Sequence, residues 1–285
     1  MTSSSISAGV TVGVWQCAGP LRDVPAALAA LDAAAAEAAD RGVRLLACPE
    51  LTLTGYNIAR DAAALAEPAG GPTSRAVAAI AARHHLAIAW SWPERDGDLV
   101  RISAEIVDRD GTVVARHRKA HLYGADEASA YTPGDGVPAV GEIDGVRVGL
   151  LVCYDVEFPE QVRLVALAGA DLLVVPTALM EPYEAVSSLL VRARAYENQM
   201  AIAYANRAGT EDDLTYCGSS CLVSADGADL ARAGADEQLI VASLSTAAIA
   251  AARQANTHLH DRRPELYAAL SSGSDTRRTE AGSTR

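Results

Sequence analysis

Short apolar runs alternate with alanine-rich helical stretches along nearly the whole chain, and this alternation limits the folds open to it. "VTVGVWQC" (10–17), "RLLACPE" (44–50), "LAIAWSWPE" (86–94), "GVRVGLLVC" (145–153), "DLLVVPT" (171–177) and "MAIAYANR" (200–207) read as strands. Helical sequence separates most of them. "DVPAALAALDAAAAEAADRG" opens on Asp23 as a cap and stops at Gly42, and "FPEQVRLVALAGA" carries proline in its first turn. "TSRAVAAIAARHH" and "PYEAVSSLLVRARAYENQ" read as two further helices. Hairpin signals interrupt the pattern. "VRISAEIVDRDGTVVARHRK" turns at Asp110-Gly111, and "YCGSSCLVSADGADLARAG" turns at a second Asp-Gly. Doubly wound parallel folds lack so many hairpins, so the pattern predicts an α/β protein with mixed sheets forming a sandwich and helices outside. Residues 9–270 show no linker, repeat or compositional break and are expected to form one domain. The polar ends, 1–8 and 271–285, are expected to be disordered tails.

Composition excludes several functions. Half of the 285 residues are hydrophobic, enough for a large core, and the formal charge of -12 disfavours sequence-independent nucleic-acid binding. No basic start followed by an apolar stretch marks a signal peptide, and no apolar run is long enough for a membrane helix. The cysteine count is odd, at five, and no spacing resembles a zinc site. Cys17, Cys48, Cys217 and Cys221 read as packing residues in a reducing, cytoplasmic setting. If the segment holding Cys217 and Cys221 is a strand, the two share a face but stand too far apart for a bridge. His258 and His260 have the strand spacing of a metal pair but no evident third ligand.

The fifth cysteine differs. In "LLVCYDVEFPE" (150–160) an apolar run stops at Cys153, and an aromatic, acids and a proline follow. Asp155, Glu157 and Glu160 discourage a thiolate, so a reactive Cys153 needs a base and a cation from elsewhere in the chain. Two other strand ends supply them: Glu50 follows one apolar run, and Lys119 closes the first hairpin. Glu50 has the chemistry of a general base, Lys119 that of an oxyanion holder, and Cys153 that of a nucleophile for a carbonyl or nitrile carbon.

These residues lie in "PELTLTGY", "RKAHLYG" and "CYDVEFPE", in that order, and together they resemble the nitrilase or carbon–nitrogen hydrolase superfamily. "YGADEASAYTPGD", with Glu127, matches a fourth element, and "YANRAGTED" and "DRRPELY" look like the family too. The resemblance implies a four-layer αββα sandwich that assembles into homodimers or larger homo-oligomers. It implies a Glu50–Lys119–Cys153 triad helped by Glu127, with no metal and no cofactor. It also implies that the Tyr154 backbone N–H meets the oxyanion. Asn206, with Arg207, follows a strand at a family-typical place and is left two roles, shaping the pocket or pinning a turn.

Tyr154-Asp155 after the nucleophile resembles the amidase branches rather than true nitrilases, which typically show Trp-Glu. The branches that act on acidic substrates place arginine three or four positions after the cysteine; here Val156 and Glu157 stand there. "CYD-x-EFPE" therefore looks like amidases of small aliphatic or amino-carboxamides. Glu157 has two readings, a substrate-binding carboxylate in the pocket that repels acidic amides or an acid placed at a helix start. The expected activity is hydrolysis of a small-molecule amide to an acid and ammonia. The alternatives are an N-carbamoyl-amine hydrolase, a nitrilase, or a non-catalytic interaction protein on the same scaffold.

Overall fold

The apolar runs form strands because both faces of each are covered, which the three separate hydrophobic cores make plain. The computed structural model describes residues 9–271. The first half of the chain runs β1 (Gly9–Gln16), α1 (Val24–Asp40), β2 (Leu45–Ala47), α2 (Ala62–Leu65), α3 (Pro72–His84), β3 (Ala87–Asp96), β4 (Leu99–Val107), β5 (Val113–Arg118) and α4 (Gly124–Ala130). The second runs β6 (Ala139–Ile143), β7 (Val146–Leu150), α5 (Pro159–Leu167), β8 (Leu172–Pro176), α6 (Val191–Asn198), β9 (Ala201–Ala205), the small pair β10 (Thr210–Glu211) and β11 (Leu214–Thr215), β12 (Cys221–Val223) and β13 (Asp229–Arg232). β14 (Gln238–Ser245), α7 (Thr246–Ala255) and α8 (His258–Asp261) follow.

Two six-stranded mixed sheets result, in the orders β14-β1-β2-β3-β4-β5 and β13-β12-β9-β8-β7-β6. They share one plan. In each, three parallel strands lie side by side (β1, β2, β3 and β7, β8, β9), a hairpin extends one flank, and an antiparallel strand closes the other. Parallel neighbours need crossovers, and α1, α3, α5 and α6 provide them. Side chains alternate between two cores. Leu45 and Ala47, with Leu172 and Val174, fill the space between the sheets, while Leu46 packs toward α1 and α3, and Leu173 toward α5 and α6. The layers are therefore helix, sheet, sheet, helix. Each fully buried valine, leucine or isoleucine contributes about 1.5–3 kcal/mol.

Helix ends follow local chemistry. The Asp23 side chain accepts from Ala26 N, α1 buries Ala27, Leu31, Ala34, Ala35 and Ala38 on one stripe, and Gly42 leaves it with φ +73°. Pro159 opens α5. The sequence 182–199 reads as one helix, but its Val186–Leu190 turn is widened to a π-helix before α6. The strand expected over 44–50 stops at Ala47, which leaves Glu50 in a turn. Cys221 starts β12 and Cys217 precedes it, so the two do not share a strand. His258 and His260 fall in the short α8 rather than in a strand, and the His258 ring packs edge-on against Tyr196. Among the described residues no cluster of His, Cys, Asp or Glu is placed to hold a metal. The two polar tails lie outside the described residues, save for Ser271, which closes a short helix from Ala268. No helix among the described residues is long and apolar enough to cross a membrane.

The sheets approach closely where β6 of one passes β5 of the other. A Cβ at Gly141 would stand 2.3 Å from Val114 Cγ1 and 2.4 Å from its carbonyl oxygen. Gly141→Ala is expected to cost about 1–3 kcal/mol, read as a lowered urea midpoint. Gly234→Ala, which meets no atom within 4 Å, should stay within about 0.5 kcal/mol.

Candidate active site

The sandwich brings the ends of β2, β5 and β7 together. Lys119 Nζ donates to Glu50 Oε1 and to Glu127 Oε1, both at 2.7 Å. All three side chains are buried. Tyr56 Oη donates to Glu127 Oε1 at 2.7 Å, and Tyr123 N donates to Glu127 Oε2 at 2.8 Å. Burying an ion costs several kcal/mol, and one ammonium between two carboxylates offsets that only with close, satisfied geometry. Burial pushes the Glu50 carboxyl up to about 7, although Lys119 pulls it down. For Lys119 burial opposes the charge, but Glu50, Cys153 and Glu127 outweigh it and hold its pKa well above the usual value. Glu50 Oε2 has no hydrogen-bond partner of ordinary geometry. The nearby Cys153 thiol steadies the Glu50 anion.

Cys153 itself stands partly exposed, in a left-handed backbone conformation with φ +46°. That conformation costs an L-residue about 1–3 kcal/mol and persists where its surroundings enforce it. It follows directly on the apolar run of β7 and opens a 3-10 turn over Cys153–Glu157. The protein around its sulfur and the neighbouring Glu50 carboxylate push the thiol pKa up, against the pull of Lys119. The same surroundings favour the thiol over the thiolate.

Asp155 holds the turn, accepting from Val152 N at 3.4 Å. Its buried carboxylate accepts from Ala120 N (3.1 Å), His121 N (2.9 Å), His117 Nε2 (2.9 Å) and His121 Nδ1 (2.9 Å). It therefore clamps the Lys119 segment to the Cys153 turn. Burial alone would raise its pKa, but the hydrogen bonds from His117 and His121 hold it well below the usual carboxylate range.

The Glu50 turn has its own clamp. Buried Arg207 donates to Glu50 O through Nε (3.1 Å) and Nη2 (3.0 Å), and to Leu51 O at 2.6 Å. Its Nη1 pairs with Glu211 Oε1 at 3.0 Å, and Glu211 Oε2 accepts from Tyr56 N and Asn57 N. Glu50 N donates to Thr177 O beyond β8, which ties one sheet to the other. Arg207 accordingly pins a turn.

Cys153 lies in a cavity of about 260 Å³ lined by Tyr56, Tyr123, Tyr154, Glu157, Ala178, Leu179, Met180 and Tyr183. A second space of about 190 Å³ shares Tyr56, Tyr123 and Met180 and reaches Glu127. Asn206, expected to bind substrate or shape the pocket, does not line the cavity. Its Oδ1 accepts from Leu179 N at 2.6 Å, and its Nδ2 donates to Leu179 O at 3.1 Å and to Gly218 O at 2.7 Å. It holds the pocket wall from behind, because a buried amide at the end of β9 finds unpaired backbone there. Glu157 does line the cavity. Sequence reasoning did not find Tyr56, Tyr123, Met180 or Tyr183, whose loops carry no periodic signal.

A mixed two-sheet sandwich with a buried carboxylate–lysine–carboxylate set beside a strand-end cysteine defines a hydrolase of carbon–nitrogen bonds. The chain belongs to the carbon–nitrogen hydrolase family, whose model matches residues 11–254. It is 43% identical over 263 residues, 91% of each chain, to "Hydrolase in pqqF 5'region" of Pseudomonas protegens. It is 35% identical over 235 residues, 82% of this chain and 85% of the other, to the (R)-stereoselective amidase of a Pseudomonas species. Among solved structures it is similar to the amidase of Nesterenkonia sp. AN1. A double mutant of that amidase in complex with acrylamide has a TM-score of 0.85 at 34% identity, covering 95% of this chain and 99% of that one. Another mutant of the same amidase, with a TM-score of 0.84 at 35% identity covering 92% and 97%, shows covalent addition of the acetamide moiety of fluoroacetamide at its active site cysteine.

Asp155 generates a stability prediction. Its folded pKa is depressed, so its contribution is complete above the unfolded value of about 3.9 and is lost as pH falls below that. Asp155→Asn should cost about 1–3 kcal/mol at pH 7. The gap to the parent protein should narrow below about pH 4. Urea melts across pH 3–7 check both.

Proposed function

We propose that this chain is an amidase that hydrolyses a small carboxamide, aliphatic or amino-bearing, through a thioester on Cys153. The observation that carries the reading is Lys119 held at 2.7 Å by both Glu50 and Glu127, near enough for the charges of Lys119 and Glu50 to act on the Cys153 thiol, which itself lines a cavity. Glu50 takes the thiol proton on its uncommitted Oε2 as sulfur attacks the amide carbon. Lys119 Nζ and the Tyr154 N–H stabilise the tetrahedral oxyanion, a kind of contact worth about 3–4 kcal/mol of barrier. Glu50 returns the proton to the leaving nitrogen, the C–N bond breaks, and ammonia departs. Glu50 then takes a proton from water as its oxygen attacks the thioester, and the thiol and carboxylic acid are released. Glu127 keeps Lys119 in place throughout.

Residues 9–270 act as one unit in this reading. The exposed Leu164, Leu167, Leu189 and Tyr196, on and beside α5 and α6, supply apolar surface for a homodimer. Light scattering at micromolar concentration should give at least twice the chain mass.

Cys153→Ala should lower ammonia release by about 10³-fold or more, with an unchanged circular dichroism spectrum. Normal turnover by the folded variant would remove the mechanism. Ammonia without carbon dioxide excludes the carbamoyl alternative, and a panel of nitriles tests the other. The base also sets the pH profile. Glu50 must be ionised, and its pKa lies near 7, so kcat/KM should fall about tenfold per pH unit below that value. A profile flat down to pH 5 would show that the Glu50 pKa is not raised, and unchanged turnover in a folded Glu50→Gln would exclude Glu50 as the base.

A further inference from the structure

The wall of the Cys153 cavity is aromatic and apolar except at one point. Tyr56, Tyr123, Tyr154 and Tyr183 form much of it with Leu179 and Met180, and Glu157 is its single carboxylate. Tyr123 meets Tyr154 edge to face at 5.3 Å and Tyr183 at 6.1 Å, so the rings brace one another. Glu157 is half-buried and lines the cavity, and among the described residues no side chain or backbone N–H pairs with its carboxylate.

The cations near it are committed elsewhere. Arg194 donates to Val156 O, to the Glu157 carbonyl and to Glu197 Oε1. Lys119 is held by Glu50 and Glu127. Nor does Glu157 serve the helix that follows. Phe158 caps α5, Glu160 occupies its first turn, and no α5 backbone N–H donates to the Glu157 carboxylate. A half-buried carboxylate without a partner is costly. Burial accordingly raises its pKa, with Arg194 and Lys119 pulling it back. Alkylammonium ions bind where π faces and a carboxylate converge.

We propose that Glu157 and the tyrosines around it form a subsite for a protonated amine on the acyl part of the substrate, a few bonds from the scissile carbonyl. The inference rests on the amidase reading. Ammonia is the leaving group there, so only the acyl part can carry the amine. The same carboxylate repels the acidic group of a dicarboxylate monoamide.

The test compares kcat/KM for β-alaninamide, butyramide and succinamate, which place an ammonium, a methyl or a carboxylate beyond the same two methylenes. Glycinamide against propionamide tests the shorter spacing. The unaltered enzyme should favour the ammonium over the methyl by about tenfold or more at one of the two spacings, with succinamate last. Glu157→Gln should bring the ammonium-to-methyl ratio toward one, and Glu157→Asp should keep the ammonium ahead. The ratio is taken within one protein, so a general loss of activity does not imitate the effect. If Glu157→Gln does not fold, the ratio in the unaltered enzyme is followed with pH and should fall as Glu157 takes up its proton. Tyr123 and Tyr204 also face this carboxylate, but phenols stay neutral at acid and neutral pH.

Ammonia release with equal preference for ammonium and methyl at both spacings, or a ratio unchanged in Glu157→Gln, overturns the subsite and leaves the amidase reading intact. No ammonia from any of these amides, with the Cys153 thiol inert to iodoacetamide, sinks the amidase reading and the subsite with it.

Discussion

The buried ammonium of Lys119 between the carboxylates of Glu50 and Glu127 is the interaction on which the rest depends. Three separate chain segments must deliver these groups to one dry point with errors of a few tenths of an ångström. A buried ion that loses a partner is penalised by several kcal/mol, so the surrounding backbone has to be held rigidly. The structure meets this demand with two further buried clamps, Arg207 on the Glu50 turn and Asp155 between the Lys119 segment and the Cys153 turn. Neither clamp lines the cavity; each fixes backbone that carries a member of the buried set or Cys153.

The acids that follow Cys153 have three different fates. Asp155 is consumed by five donors and works as a structural anion. Glu157 opens onto the cavity, and Glu160 is exposed in the first turn of α5. Crowding of negative charge near a thiol, puzzling in one dimension, separates in three. Burial, and then the Glu50 carboxylate, push the thiol pKa up against the pull of Lys119. The neighbouring Glu50 carboxyl has its own affinity for protons raised by the same dry environment.

Much of the architecture was legible. Strands such as Leu172–Pro176 are covered on both faces, so they read as unbroken apolar runs, and Asp110-Gly111 turned as its chemistry requires, with Gly111 at φ +83°. Glu50, Lys119 and Cys153 stood out because each ends such a run abruptly, whereas Glu127 lies in a short helix with nothing local to mark it and was reached through the family resemblance. Asn206, left the roles of shaping the pocket or pinning a turn, grips the Leu179 backbone of the pocket wall. Its residue type at a strand end fits either task, and only the third dimension separates them. Arg207 and Glu50 meet across 157 positions of sequence, and the tyrosines of the cavity come from unconnected loops. Contacts of that kind leave no periodic trace.

The two sheets follow the same strand plan, yet they contribute unlike things to their junction. Glu50, Lys119 and Glu127 all come from the half that ends at α4. Cys153, Tyr154, Glu157, Leu179, Met180 and Tyr183 all come from the half that begins at β6. The buried charge set is thus encoded upstream and the shape and charge of the cavity largely downstream. Substitutions that accumulate around Glu157, Leu179, Met180 and Tyr183 can reshape the cavity while the buried Glu50–Lys119–Glu127 set, encoded elsewhere in the chain, stays untouched.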